Sequence, residues 1–479
     1  MNVAEQKPQE SLQESLQQVQ RLLARHKLVE DLVHKQDMPR HDIVETLVHK
    51  QNLVELQHKL EQLHPADVAY ILETLPLDDR LTVWDLVKAE RDGDILLEVS
   101  DSVRESLLKS MDSDEILAAT ENLDADEIAD LAPDLPTDVV HELMGSLDTE
   151  EREQVRSALS YDEDQVGGLM DFEMVTIRDD VTLEVVLRYL RRFDELPDHT
   201  DKLFVVDKAE TLQGVLTLKR LLINDPEKSV AEVMSRDVVT FRPEDDAGDA
   251  AQSFERYDLV SAPVVNEASK LVGRLTVDMM VDVIREESES EMLSLAGLRE
   301  EEDLFSSVWA SAKNRWPWLA TNICTAFVAS RVIGAFEGTI SQLVALSTLM
   351  TIVAGIGGNT GNQTSTLIIR ALALGQVNSS NARRLILKEL GIALLNGAVW
   401  GGVMGLIAYL LYHQVSLGLV MMAAMVLNFQ VAALVGIFVP LTMHKMGRDP
   451  AYGSSVLLTA TTDSMGFFIF LGLATIFLL

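Results

Sequence analysis

The residue most at odds with its surroundings is Asp463, the only ionisable group in the last apolar run of the chain, Val456 to Leu479. A carboxylate at membrane depth costs roughly 2.5–3.5 kcal/mol by insertion scales, and such residues mark ion or substrate paths. At about 1.5 Å per residue, Asp463 would lie about 12 Å into a hydrocarbon core about 30 Å thick. Ser455, Thr459, Asp463 and Gly466 share one face at helical spacing. A carboxylate among hydroxyls offers hard oxygen ligands, which suit a hard cation. The competing reading is a polar contact between packed helices.

A second polar stretch interrupts an earlier apolar run: Gly355-Ile356-Gly357-Gly358-Asn359-Thr360-Gly361-Asn362-Gln363-Thr364. No strand precedes these glycines and Thr360 takes the third glycine position, so this is not a dinucleotide fingerprint. In a membrane, glycines so spaced permit close helix contact or a kink that bares backbone carbonyls. Asn359, Gln363 and Thr366 share a face with Asn362 adjacent. This stripe and that of Asp463 are expected to face each other across a wet path. Magnesium dehydrates reluctantly and is usually held by few carboxylates with its waters retained, so one aspartate suits a hydrated ion. Neither a Walker loop nor an Asp-Lys-Thr-Gly phosphorylation motif occurs. No nucleophile or metal constellation points to an enzyme.

The elements that must position these residues are five apolar runs, approximately 316–336, 339–372, 385–412, 416–443 and 454–479. Basic residues cluster at Lys313/Arg315, at Arg370/Arg383/Arg384/Lys388 and at Lys445/Arg448, whereas the turns near 337 and 413 carry none beyond Arg331. The excess of positive charge on cytosolic loops then places the N-terminus in the cytosol and the C-terminus outside, which fits five spans. Trp316 and Trp318 mark the first boundary.

The rest of the chain is a different material. Of 75 acids and 40 bases, only four and nine fall in residues 304–479, leaving a net charge of −40 on residues 1–303. So acidic a part repels itself, is poorly suited to nucleic acid, and is well suited to collecting cations. The single Cys324 excludes a disulfide framework. The polar opening residues resemble no secretory signal, and a cytosolic location for this part is expected. Residues 1–165 read as helical. Asp112-Ser113-Asp114-Glu115, Asp124-Ala125-Asp126-Glu127 and Thr137-Asp138 announce short helices by capping, and stacked helix pairs in a small superhelix follow.

From Gly167-Gly168-Leu169-Met170 the texture becomes α/β. Val175-Thr176-Ile177 reads as a strand, Leu183–Arg192 as a helix, and Leu203-Phe204-Val205-Val206 and Gly214-Val215-Leu216-Thr217 as strands. The order recurs with a strand at Val238-Val239-Thr240, a helix through Arg256, then Pro263-Val264-Val265-Asn266 and Gly273-Arg274-Leu275-Thr276. The last two pairs of landmarks are each offset by 59 residues. This duplication resembles a tandem CBS pair over 166–288. Nucleotide-binding pairs carry an Asp three residues after the Gly-x-x-Thr threonine; here Arg220 and Met279 stand there, so ATP binding is not expected. Glu286, Glu287, Glu289 and Glu291 open a connecting helix over 289–315.

The chain as a whole resembles the MgtE family of bacterial magnesium channels. The resemblance rests on Gly357-Gly358-Asn359-Thr360-Gly361-Asn362-Gln363, Leu387-Lys388-Glu389, Asp449-Pro450-Ala451 and Asp463. It implies a multidomain membrane protein: an all-α acidic N-terminal superhelix (1–165), a tandem α/β CBS pair (166–288), a connecting plug helix (289–315) and a five-helix transmembrane domain (316–479). It implies a homodimer in membrane lipid with one pore at the subunit interface, lined by Asp463 and Asn362. Magnesium would be both substrate and regulator, bound by Asp126, Asp130, Asp258, Asp282 and Glu287 between the helical and CBS parts to lock the plug helices shut. Asp449 is counted with these ion-binding residues. Met279, Ser290 and Ser455 depart from the family pattern. A non-conducting, membrane-anchored sensor of divalent cations is the alternative function.

Overall fold

The computed structural model describes residues 12–34, 53–298, 304–373, 376–377, 381–448, 450 and 454–479. They fall into two compact units, one extending to Glu287, the other formed by Ser307–Leu479 with the segment after Ser288.

The first part of the first unit is a stack of short helices, among them Pro65–Glu73, Leu77–Trp84, Asp92–Glu98, Asp101–Leu108, Ser113–Thr120, Ala125–Leu131, Thr137–Ser146 and Thr149–Ala158. Local chemistry sets their starts. Asp112, Asp124 and Asp148 each form a reciprocal capping box with the glutamate three residues on, an arrangement worth about 1 kcal/mol apiece. Pro76 and Pro136 stand at the N-caps of two others. A second device closes the helix ends. The Nε of Arg80, Arg104 and Arg152 donates to the carbonyl oxygens of Leu72, Leu96 and Met144 at 3.0, 2.9 and 2.6 Å, each eight residues back. Each guanidinium therefore caps the C-terminus of the preceding helix. The three arginines are separated by 24 and 48 residues, which exposes a structural repeat of 24. Val68, Ile71, Leu96, Val103, Leu107 and Leu131 lie in the shared core.

The CBS resemblance holds in three dimensions. Strands β1 (Thr176–Arg178), β2 (Lys202–Val206) and β3 (Leu212–Thr217) form one sheet, with β1 parallel and β3 antiparallel to β2. Strands β4 (Ser261–Val265) and β5 (Leu271–Thr276) repeat the antiparallel pair. The pairs Lys202/Thr217 and Ser261/Thr276 correspond, as do the register irregularities at Val205/Val206 and Val264/Val265. The strand expected at Val238-Val239-Thr240 does not form; a single parallel bridge from Phe241 to Val264 stands in its place. The cause is Pro263, the counterpart of Phe204. The Phe204 N–H donates to the Val175 carbonyl at 3.0 Å, and proline has no N–H to repeat that bond.

The stretch expected as one connecting helix divides between two elements. Helix Val277–Ala296 runs on from the second CBS copy, and the next long helix starts at Val308. Between them Gly297 takes φ +72°, a left-handed conformation that ends a helix.

Among its described residues the second unit contains five long helices: the first, Val308–Ala335; the second, Ala345–Ala373; the third, Ala382–Tyr412; the fourth, Val415–Lys445; the fifth, Ser454–Leu478. Among the described residues four are long and apolar enough to cross a membrane. The second is long enough, but its polar stretch keeps it from that class by composition. It is unbroken, so its glycines serve close packing and not a kink. A Cβ at Gly361 would stand 2.7 Å from Leu458 Cδ2, one at Gly358 3.5 Å from Thr462 Oγ1, and one at Gly466 3.1 Å from Ala354 Cα. As the second helix ascends in number the fifth descends, so the two are antiparallel. Gly397, Gly401 and Gly405 bring the third helix equally close to Val426, Met422 and Gly418 of the fourth, again antiparallel. Such small-residue seams are how apolar helices approach in lipid.

Candidate ion path and acidic clusters

Asp463 is half-buried on the fifth helix. Its neighbour Thr462 is fully buried and returns its hydroxyl to the carbonyls of Leu458 and Thr459 at 3.0 and 3.1 Å. Thr462 is therefore part of the seam with the second helix, and Asp463 flanks that seam. On the second helix Gly357, Gly358 and Gly361 point inward while Asn359, Gln363 and Thr366 are exposed. The two polar stripes do not pack face to face along their length, as the sequence led one to expect. What meets along the seam is glycine against Thr462 and Leu458. The stripes adjoin at one end only, where Asn362, Ser365, Thr366, Ser454 and Ser455 line a pocket of about 200 Å³. Asn362 belongs to this pocket and Asp463 does not.

Two buried polar residues escaped the sequence reading as site candidates. Asn428 on the fourth helix is fully buried and donates through Nδ2 to the Val353 carbonyl at 2.9 Å. It thereby braces the second helix beside Gly357 and Gly466. Glu389 on the third helix is 5% exposed, with Thr364 Oγ1 donating to it at 3.4 Å and Lys388 Nζ at 3.8 Å. The available signals were an asparagine in the middle of a 31-residue apolar helix and an acid among the few in residues 304–479. Either is costly in lipid without a partner.

In the first unit the acids separate into two groups. Asp126 is half-buried near Asp171, which is held by Arg274 at 2.6 Å. Burial first, and then the Asp171 charge, push the Asp126 carboxyl up to about 8. Asp124, Glu127 and Glu173 are raised as well, in each case mainly by burial with neighbouring acids adding. The other group surrounds Arg104, which meets Asp130 at 3.1 Å, Asp134 at 3.4 Å and Asp101 at 3.8 Å. Asp282 acts on Asp130 here, and both are raised, mainly by burial. Glu286 is raised by burial and then by Asp101 and Asp282. The remaining sites stand apart. The Glu287 carboxylate lies beside Gly248, in the first turn of helix Ala247–Tyr257. Asp258 closes that same helix, exposed and in the left-handed conformation. Asp449 lies outside the described residues. Among the described residues no three acids, histidines or cysteines are already set around a metal position.

The two CBS positions that depart from the nucleotide pattern have other employment. Arg220 Nη1 donates to the Val233 carbonyl at 3.1 Å, and Met279 packs on the core of the second copy.

Fold and site define a class: a membrane protein in which a helical unit with one carboxylate in its last helix accompanies an acidic helical domain and a CBS pair. Comparison with known proteins agrees. Residues 350–473 match the profile of the MgtE divalent cation transporters, 63–164 that of the MgtE intracellular N domain, and 166–226 and 230–286 that of CBS domains. The magnesium transporter MgtE of Thermus thermophilus is 35% identical over 68% of this chain and 73% of its own. That of Bacillus subtilis is 28% identical over 88% and 93%. A solved cytosolic domain of the Mg2+ channel MgtE in complex with ATP is 32% identical, covers 50% of this chain and 98% of its own, and superposes with a TM-score of 0.45. The chain belongs to the MgtE magnesium transporter family.

Proposed function

We propose that this chain conducts magnesium into the cell, down its electrochemical gradient, through a pore formed where two copies meet in the inner membrane. The observation that carries the reading is the placement of polarity in the second unit. Glycines occupy the packed face of the second helix, leaving Asn359, Gln363 and Thr366 exposed beside a half-buried Asp463. Amides turned toward lipid are costly; covered by a second copy around a wet path they are satisfied. A divalent ion entering down about 100 mV gains roughly 4.6 kcal/mol, enough to need no ATP-driven motor. With basic residues clustered at Lys313/Arg315, Arg370/Arg383/Arg384/Lys388 and Lys445/Arg448, the N-terminus is cytosolic and the C-terminus outside.

Gating follows from the acids. Without divalent ions the carboxylates around Asp126 and around Asp130 and Asp282 repel one another and favour a loosened first unit. Magnesium bridging Asp126, Asp130, Asp258, Asp282 and Glu287 would favour the compact form, and only its preference for that form can close the pore. Arg220 and Met279 leave ATP no ribose-binding acid at either CBS position. The direct test is magnesium flux into proteoliposomes containing the full-length chain: flux for the wild type that disappears in Asp463→Ala. Wild-type vesicles without flux, whose first unit still became protease-resistant in magnesium, would make the chain a sensor and not a channel.

A further inference from the structure

Asn428 is a costly residue for the place it holds. It lies fully buried near the middle of the 31-residue fourth helix. Its Nδ2 donates to the Val353 carbonyl at 2.9 Å, while its Oδ1 has no partner among the described residues. A buried amide oxygen left unpaired is unfavourable. Making room for the amide adds to the cost. A Cβ at Gly357 would collide with Nδ2, and one at Gly466 would stand 3.0 Å from it. Glycine is thus kept on two different helices, and inside a helix glycine is unfavourable relative to alanine. Alanine at 428 and at 357 would fill much of this space with neither an unpaired oxygen nor that helical glycine. What alanine cannot supply is the bond to Val353. In an unbroken α-helix the carbonyl of residue 353 already accepts from the N–H of residue 357, so the backbone did not need a second donor. The bond therefore serves location. Apolar helices in lipid have little to fix their mutual rotation and height beyond packing, and a single buried asparagine can specify register at a cost in stability. Asn428 meets the second helix at Val353 and Gly357 and the fifth at Gly466, so one amide keys both.

We propose that Asn428 is a positioning residue for ion passage: it fixes the second helix, in rotation and in height, against the fourth and fifth, and so sets where Asn359 and Gln363 stand relative to Asp463. Asp463 precedes Gly466 by three residues and Asn359 follows Gly357 by two, each less than one helical turn, so a slip at the key reaches both. Its part in passage rests on the conducting role proposed above, but the key can be read without flux. In the full-length chain with Cys324→Ser, the pair Gly358→Cys/Thr462→Cys sets two thiols across the seam. A Cβ at 358 stands 3.5 Å from Thr462 Oγ1, within disulfide reach. Mild oxidation should close this pair at least threefold faster with Asn428 than with Asn428→Ala. In proteoliposomes, without the added cysteines, Asn428→Ala should raise the half-saturating magnesium concentration for flux at least threefold. Asn428→Ala/Gly357→Ala should raise it equally, yet melt in detergent no lower than the wild type, because the new Cβ occupies space the amide leaves. A residue that only packs would regain wild-type half-saturation in that double variant. This result, or equal cross-linking rates with and without the amide, overturns the proposal. Wild-type vesicles without flux, in a chain whose cross-linking still depends on Asn428, would discard the conducting role and the link to ion passage while leaving the key itself in place.

Discussion

Replacing Asp126 by asparagine keeps the shape of the side chain and removes its titration, which makes the cost of its charge measurable. In the folded unit Asp126 is raised from an ordinary carboxylate value to about 8, by burial first and by Asp171 second. A group whose pKa is raised on folding stabilises the fold when protonated. That contribution is complete below about pH 4 and is lost as pH rises through about 8. Between those limits one proton is exchanged on unfolding, so the slope is about 1.4 kcal/mol per pH unit. From pH 5 to 8 this amounts to about 4 kcal/mol, an upper bound because Asp126 keeps some access to water. The Asn variant should lack this slope. Asp92 is raised, by burial, only to about 6, and it is present in both proteins, so it cancels from the difference. The assay is urea-dependent proteolysis of the full-length chain in detergent and chelator from pH 5 to 8.5. The variant should resist digestion better than wild type by a margin that is small at pH 5 and widens steadily to pH 8. Magnesium should restore the wild type at pH 8 and do less for the variant. Parallel pH profiles would refute the assignment of this burden to Asp126.

Other substitutions test other links. Gly436→Ala places a Cβ 2.7 Å from the Gly361 carbonyl and should cost about 1–3 kcal/mol, read as a lower melting temperature in detergent. Gly391→Ala, with open space around it, is the control and should be neutral or better. Arg104→Ala removes the cap on Leu96 and the counter-charge to Asp130 and Asp134, at a cost of about 2–3 kcal/mol; the loss should shrink when magnesium is added, because the freed acids gain another cation. Millimolar ATP should leave the melting temperature of the wild type unchanged, and a rise would show that Arg220 and Met279 do not bar nucleotide.

Much of this architecture is legible in the residues. The 59-residue offset of Gly214 and Gly273 survives down to the irregularity in each strand pair, because each copy solves the same packing problem. The D-x-x-E pattern at Asp112, Asp124 and Asp148 needs no tertiary information, since a capping box is local. The arginine caps were not legible: the link from Arg80 to Leu72 spans two helices and follows no helical period. Pro263 carried enough information to demote the strand before it, once its role as the partner of that strand is considered. For the second helix, close contact and a kink were both open; packing against Leu458, Thr462 and Gly436 chose contact. Asp126 and Asp130 sit one turn apart, yet one meets Asp171 and the other Arg104. Spacing alone cannot tell which neighbours arrive from other elements.

The exposed face of the second helix leads to the last test. A helix in lipid should turn its polar side chains inward, but here the inward positions are taken by Gly357, Gly358 and Gly361, packed on the fourth and fifth helices. A Cβ at Gly357 would stand 2.1 Å from Asn428 Nδ2 and one at Gly361 2.7 Å from Leu458 Cδ2, so Asn359, Gln363 and Thr366 cannot rotate in without unmaking the bundle. One copy is thus held in an arrangement that leaves amides facing outward at membrane depth, where each lacks partners and costs free energy. A second copy related by a two-fold axis, as proposed above, would remove the conflict, since a two-fold contact presents the same face from both sides and would enclose a polar path beside both Asp463 carboxylates. Gln363→Cys, in the Cys324→Ser background, should therefore cross-link between copies under mild oxidation in lipid, whereas a cysteine on the exposed apolar face of the third helix, Leu395→Cys, should not. Cross-linking at Leu395 in preference to Gln363 would place the interface elsewhere and remove the reason for the polar face.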